Sequence, residues 1–265
     1  MIELKAAYSL SSKVPYVTND GLDDYAEELI CDAMPECLKA PIPFDIEKFL
    51  KSYLSLRLEF RRISYDQKIQ GLVAFHDGII QVIDERSGKA VPLPVKKGTV
   101  IIDKSLTTKR SEPRLRFSYG HECSHWLIHR KVFSPDNPFG NVLGYQNQFL
   151  AAKKGTVDYS RSLLEQTDGE RIERQADFLS SALLMCKPAL RLACLMFFKY
   201  HGEKPRRIIR GSSMKDDSLA AQLTEYIAKT FNVSKRAALI RLEKLTQIVY
   251  KGFLQNSEYY GNTFL

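Results

Sequence analysis

Between Leu115 and Ile128 the chain reads as an apolar helix that carries two histidines four residues apart, His121 and His125, with Glu122 beside the first. Pro113 stands near its start, where a missing N–H costs a helix little. Each residue turns a helix by ~100°, so His121 and His125 lie ~40° apart on one face. Two imidazoles so placed can hold one zinc ion. Glu122 sits ~100° round from His121, beside such an ion and outside its ligand set. From there a carboxylate can take a proton from a zinc-bound water, whose pKa the metal brings down toward ~7. Cys123 points to ~200°, away from the metal, and reads as a core thiol.

A pattern with three fixed positions in five arises by chance, so the rest of the site has to come from elsewhere. The stretch Glu165 to Met185 has one long helical period, with Ile172, Ala176, Leu179, Leu183 and Leu184 on it, and Pro188 marks its end. Glu173 and Asp177 are four apart and share a face of this helix. Glu173 can be a third zinc ligand. Asp177 sits among Ala176, Phe178 and Leu179, where an unpaired carboxylate is costly. It can accept the free ring N–H of a ligand histidine, fixing the tautomer and raising ring basicity. His129 is the rival third ligand, but on a continuous helix it lies ~12 Å along the axis from His121, and one ion cannot reach both. Glu165 and Glu170 are weaker rivals, since neither has an acid four residues later.

The remaining chain reads as α+β. Helices are expected over Asp23–Ala33 and from an Asp45 N-cap to about Leu54. Leu56, Leu58 and Phe60 alternate with charged residues as in a half-buried strand. Leu72–Phe75 and Ile79–Ile83 flank Asp77-Gly78, a strong hairpin signal, and Thr99–Ile102 reads as a further strand. This predicts a small, mostly antiparallel sheet. Thr99–Ile102 could pair with an extended substrate backbone or lie inside the sheet. Lys131–Lys154, with Pro135, Pro138, Gly140 and Gly144, is expected to be loop-rich. From about Leu219, Leu223, Ile227, Phe231, Ala238, Ile240, Leu242 and Leu245 suggest two helices joined near Phe231-Asn232-Val233, with Ser234 capping the second. That spacing suits a helix-turn-helix. The expected division is 1–188 for the site-bearing domain and 189–265 for a helical C-terminal region.

Charge sharpens this division. Ala189 to Leu265 holds 13 Lys/Arg against 6 Asp/Glu, a net +7 of the chain's +8. Lys204, Arg206, Arg207 and Arg210 cluster there, and DNA or an acidic partner is one use for such a segment. No apolar run approaches the ~20 residues of a membrane span. The first residues carry no basic-then-apolar secretory signal, so a cytoplasmic protein with five reduced cysteines is expected.

At this point the sequence resembles the ImmA/IrrE metallopeptidases. The matching stretches are Pro43–Lys48, Gly71–Gly78, Gly98–Asp103, Arg116–His129 and Glu173–Asp177, in the family's order over roughly residues 40 to 188. The resemblance implies a zincin-like core and limited proteolysis, commonly of a DNA-bound repressor. Carried over by position, His121, His125 and Glu173 are zinc ligands and Glu122 is the catalytic base. The chain departs from the family pattern at Ser124, where Gly is frequent, at Ala182, where Glu is common, and at Cys186, where Pro is common. The stretch Lys131–Ser160 also looks long. Tyr145, Tyr159 and His201 are candidates for an oxyanion stabiliser by residue type alone. The expected function is a zinc-dependent endopeptidase acting on a regulatory protein. The alternative is a DNA-binding regulator whose zinc site is structural or vestigial.

Overall fold

A computed structural model describes residues 2–134, 149–153 and 167–251. In chain order its strands are β1 (Ala7–Tyr8), β2 (Pro15–Tyr16), β3 (Arg57–Arg61), β4 (Ile69–Ala74), β5 (Gly78–Ile83), β6 (Ala90–Val95), β7 (Thr99–Asp103), β8 (Phe149–Lys153), β9 (Ile208–Arg210) and β10 (Ile248–Tyr250). Its helices are α1 (Asn19–Ala33), α2 (Glu36–Lys39), α3 (Ile46–Lys48), α4 (Glu112–Ile128), α5 (Asp168–Leu184), α6 (Lys187–Tyr200), α7 (Met214–Phe231) and α8 (Lys235–Lys244). The protein is α+β with small sheets. Among the described residues no single helix is long and apolar enough to cross a membrane.

Two compact units divide the chain: Met1–Leu29 with Asp45–Leu183, and Ile30–Phe44 with Leu184–Leu265. The sequence places a single division at residue 188. The second unit instead also takes in residues 30–44.

In the first unit the main sheet has the order β3-β7-β4-β8. β3 runs parallel to β7, while β4 is antiparallel to both β7 and β8. The sheet is therefore mixed at one edge. Side chains alternate along a strand, and both faces of β7 are buried. Leu72, Ala74 and Ile101 join Ile63, Ile80, Val82 and Val95 in an apolar cluster with the β5–β6 ribbon. Gly71 and Ile102 lie on the other face, against α4. This two-sided burial is why Val100-Ile101-Ile102 is an unbroken apolar run.

Two sequence expectations change here, and one left open is decided. Asp77-Gly78 does not close a hairpin, because β4 and β5 pair with different strands. Asp77 instead accepts the Lys97 backbone N–H at 2.8 Å and the Lys96 ammonium at 2.9 Å, tying its turn to the end of β6. The hairpin is β5–β6, and its turn passes through Gly88 at φ 66°. Thr99–Asp103 is interior to the sheet, so it offers no free edge. The expected loop Lys131–Lys154 contains β8. The Asp45 cap does form, accepting from the Lys48 N–H at 2.9 Å, but α3 passes at once into a π-helical turn over Phe49–Tyr53.

The second unit is mainly helical. Pro188 does not merely end α5; it stands in the first turn of α6, where its ring is tolerated. Ser213 caps α7 by accepting from Asp216 N, and the helix begins at Met214, five residues before the start read from the apolar spacing. Asn232 ends α7 in the left-handed conformation, and Ser234 caps α8 by accepting from Ala237 N. Phe231 and Val233 are buried, whereas Ile240 is exposed.

Candidate metal centre

Helix α4 is buried all round from Ser118 to Ile128. A helix with no solvated face has its polar side chains aimed at protein, so each one needs a partner. Ser124 meets this need within the helix, donating from Oγ to the Gly120 carbonyl at 2.7 Å. Gly120 allows α5 to come close, since a Cβ there would collide with Ser180. That close approach brings the polar residues of the two helices together.

The Nε2 atoms of His121 and His125 lie 2.8 Å apart. Glu173 Oε2 is 3.4 Å from His121 Nε2, and Glu173 Oε1 is 3.8 Å from His125 Nε2. Ligand atoms ~2.0–2.2 Å from a tetrahedral zinc sit roughly 3.3 Å from one another, and the three observed separations of 2.8, 3.4 and 3.8 Å bracket that value. One nitrogen from each of two histidines and one carboxylate oxygen is also a donor set that zinc takes. This buried group could hold a metal ion. Asp177 Oδ1 lies 2.9 Å from His121 Nδ1 on the far side of that ring. His121 Nδ1–H thus donates to Asp177 and leaves Nε2 for a ligand.

Glu122 is fully buried, and neither carboxylate oxygen has a hydrogen-bond partner among the described residues. Among the described residues Glu173 Oε1 is also without a hydrogen bond. Buried carboxylate oxygens without hydrogen bonds are costly, and the charge of Glu173 adds to the cost of ionising Glu122. A cation held by this group would offset that cost. Gly71 belongs to the same construction: a Cβ on it would lie 2.7 Å from Glu122 Oε1 and 3.1 Å from Ile102 Cδ1. The bare backbone of β4 is what makes room for the carboxylate.

The titrations follow from this environment. Burial raises Glu122 to about 8, with His121 opposing the shift and Glu173 adding to it. Burial lowers His121, but its bonds to Asp177 and Glu173 and the charges of Asp177 and Glu122 outweigh this, leaving the ring well above the usual imidazole value. Burial, then the charges of His121 and His129, push His125 well below it. Burial takes His129 down to about 4, with the bond to Gln175 opposing. Cys123 is raised far above a normal thiol by burial and then by Glu122, so it is a core thiol and no nucleophile.

His121, His125, Glu122, Glu173 and Asp177 are thus brought together. His129 is outside the group that could hold an ion: α4 ends at Ile128, and the His129 ring sits behind His125, with Nδ1 3.0 Å from His125 Nδ1. Its other nitrogen is 3.0 Å from Gln175 Oε1. Sequence reasoning passes over Gln175 because it lies ~200° round α5 from Glu173. Gly71 is passed over too, because only the packing of β4 on α4 gives it meaning. His201 belongs to the second unit, where its ring packs on Phe197 at 4.3 Å. Tyr145 and Tyr159 lie outside the described residues.

Compared with known proteins, the chain matches no family model and no curated protein sequence.

Proposed function

We propose that this protein is a zinc-dependent endopeptidase with a zincin-like core, of the ImmA/IrrE type, that cleaves a regulatory protein such as a DNA-binding repressor. The observation that carries this reading is Glu122: a fully buried carboxylate with no hydrogen-bond partner among the described residues, within reach of the charges of His121 and Glu173, two members of the group that could hold an ion. A purely structural zinc site has no use for such a group and usually fills its fourth position with Cys or His.

In this reading His121, His125 and Glu173 hold the ion. Bound zinc supplies Lewis acidity, polarising a carbonyl oxygen and making a water acidic at neutral pH. Glu122 accepts the proton of the water that attacks the scissile carbonyl carbon, then passes it to the departing amine nitrogen. Asp177 holds the His121 ring in the tautomer that presents Nε2. Burial that lifts Glu122 in the metal-free site is countered once a dication stands nearby, which favours the ionised base. The resemblance in Arg116–His129 and Glu173–Asp177 supports the same assignment.

The test is Glu122→Gln on zinc-loaded protein with a repressor encoded beside it as substrate. The variant should keep zinc and fold but lose ~100- to 10,000-fold in cleavage rate, the usual range for a general base. Unchanged cleavage would move the preference to the second reading, a DNA-binding regulator with a structural zinc. The α7–Asn232–α8 arrangement, with both helices capped, is what favours that alternative.

A further inference from the structure

The two candidate ligand histidines are oriented by different means. Asp177 orients His121. Behind His125 runs a chain of buried groups with no carboxylate in it: His125 Nδ1 to His129 Nδ1 at 3.0 Å, His129 Nε2 to Gln175 Oε1 at 3.0 Å, and Gln175 Nε2 to the Pro15 carbonyl at 2.7 Å. His125, His129 and Gln175 are each wholly buried, so no solvent completes their bonding.

The far end of this chain decides the near end. A carbonyl oxygen only accepts. The Gln175 nitrogen therefore faces Pro15, which turns Gln175 Oε1 toward His129. An amide oxygen only accepts as well, so His129 carries its proton on Nε2. The neutral ring then has a bare Nδ1, which must accept from His125 Nδ1–H. His125 is left with a bare Nε2, which accepts from His121 Nε2–H in the metal-free site and faces Glu173. We infer that His129 and Gln175 are positioning residues for the candidate metal centre, relaying the polarity of the Pro15 carbonyl to fix His125 in the tautomer that offers Nε2 to a metal. This inference rests on the metal reading proposed above. It gives the β1–β2 ribbon, which carries Pro15, a role in the site.

The direct test needs no metal and no substrate. Long-range proton–nitrogen NMR on the metal-free full chain, with histidines labelled and assigned from single variants, reports each ring's tautomer. The expected result is His129 protonated on Nε2 and His125 on Nδ1. A His125 ring protonated on Nε2 with a bare Nδ1 overturns the relay.

Zinc affinity, measured by competition with a chromophoric chelator, is the second arm. His129→Leu and Gln175→Leu should each weaken zinc by ~10- to 100-fold, the usual effect of removing a group that orients a ligand. His129→Gln should recover most of the loss, because its amide can accept from His125 and donate to Gln175. Wild-type affinity in both leucine variants overturns the relay, as does failure of His129→Gln to improve on His129→Leu. A wild-type protein with the expected tautomers but no zinc binding supports the relay and overturns the metal reading beneath it. Should the leucine variants not fold, the tautomers of the wild-type chain decide.

Discussion

Glu122 in the first unit and Arg206 in the second are both ionisable groups set among others, and they are handled in opposite ways. Glu122 is wholly buried with neither oxygen hydrogen-bonded among the described residues. Arg206 is part-exposed and donates to Asp216, which also accepts from Ser212 Oγ at 2.7 Å. Its neighbours follow the same pattern: Lys215 pairs with Glu203 at 2.6 Å, and Arg210 donates to Tyr250 Oη at 2.8 Å. A buried charge without a partner is expensive and survives where something else satisfies it. A surface charge with a protein partner is ordinary and by itself identifies no ligand. The +7 segment, which draws the eye in the sequence, has several of its cations engaged internally, whereas the nearly neutral remainder holds a buried carboxylate with no hydrogen-bond partner among the described residues.

This contrast can be broken most sharply at the ligands. His121→Ala and Glu173→Ala should each abolish stoichiometric zinc binding, read by metal analysis after dialysis. Full retention in Glu173→Ala with loss in His129→Ala would show that the wrong third ligand has been chosen. Glu122→Gln should retain the metal and lose the cleavage rate as set out above. It marks Glu122 as a group that serves chemistry rather than folding.

Asp177→Asn should act more mildly, lowering zinc affinity or activity by ~10- to 100-fold, because an amide can present its oxygen to His121 Nδ1–H without the charge. Gly71→Ala probes the room left for Glu122. The added methyl should destabilise the protein by about 1–3 kcal/mol, as overpacking does, measured by denaturant unfolding, with zinc still bound. An unaffected variant would mean that the carboxylate is not held against β4.

The smallest effects belong to the second unit. Removing charge at Lys204, Arg206 and Arg207 should leave zinc and cleavage unchanged. If the segment reads DNA, gel shifts of the unaltered chain should weaken steeply with salt through counterion release, and the variant should bind less. Equal, negligible binding by both assigns the segment to packing and solubility. Arg206→Ala should lower stability by less than about 1 kcal/mol, as for a part-exposed pair. The Arg206 bond, then that of Ser212, holds the Asp216 carboxyl below its ordinary value. A depressed folded pKa stabilises above the unfolded value of ~3.9 and loses that contribution as pH falls through the lower folded one. The difference between wild type and Arg206→Ala in unfolding midpoint should therefore be full at pH 6 and shrink toward pH 3.

What the sequence determined by itself is what helical geometry determines. His121, Glu122 and His125 follow from spacing on one helix, as do Glu173 with Asp177 on a second, and the caps at Asp45 and Ser234 follow from local hydrogen bonding. These are contacts within a turn or two of chain, where 3.6 residues per turn leaves little freedom. The tertiary structure alone decided the rest. It made β7 interior, sent β4 and β5 to different sheets, and brought residues 30–44 into the second unit. Strand pairing and unit membership depend on partners far along the chain, and the local pattern around Asp77-Gly78 is the same whether or not the strands meet. Gly71, His129, Gln175 and Pro15 acquire their roles in the same way, through a Cβ that would strike Glu122 and through hydrogen bonds spanning 46 and 160 residues. No periodicity in the sequence marks such distances; only the packing of α4 between β4 and α5 brings these groups together.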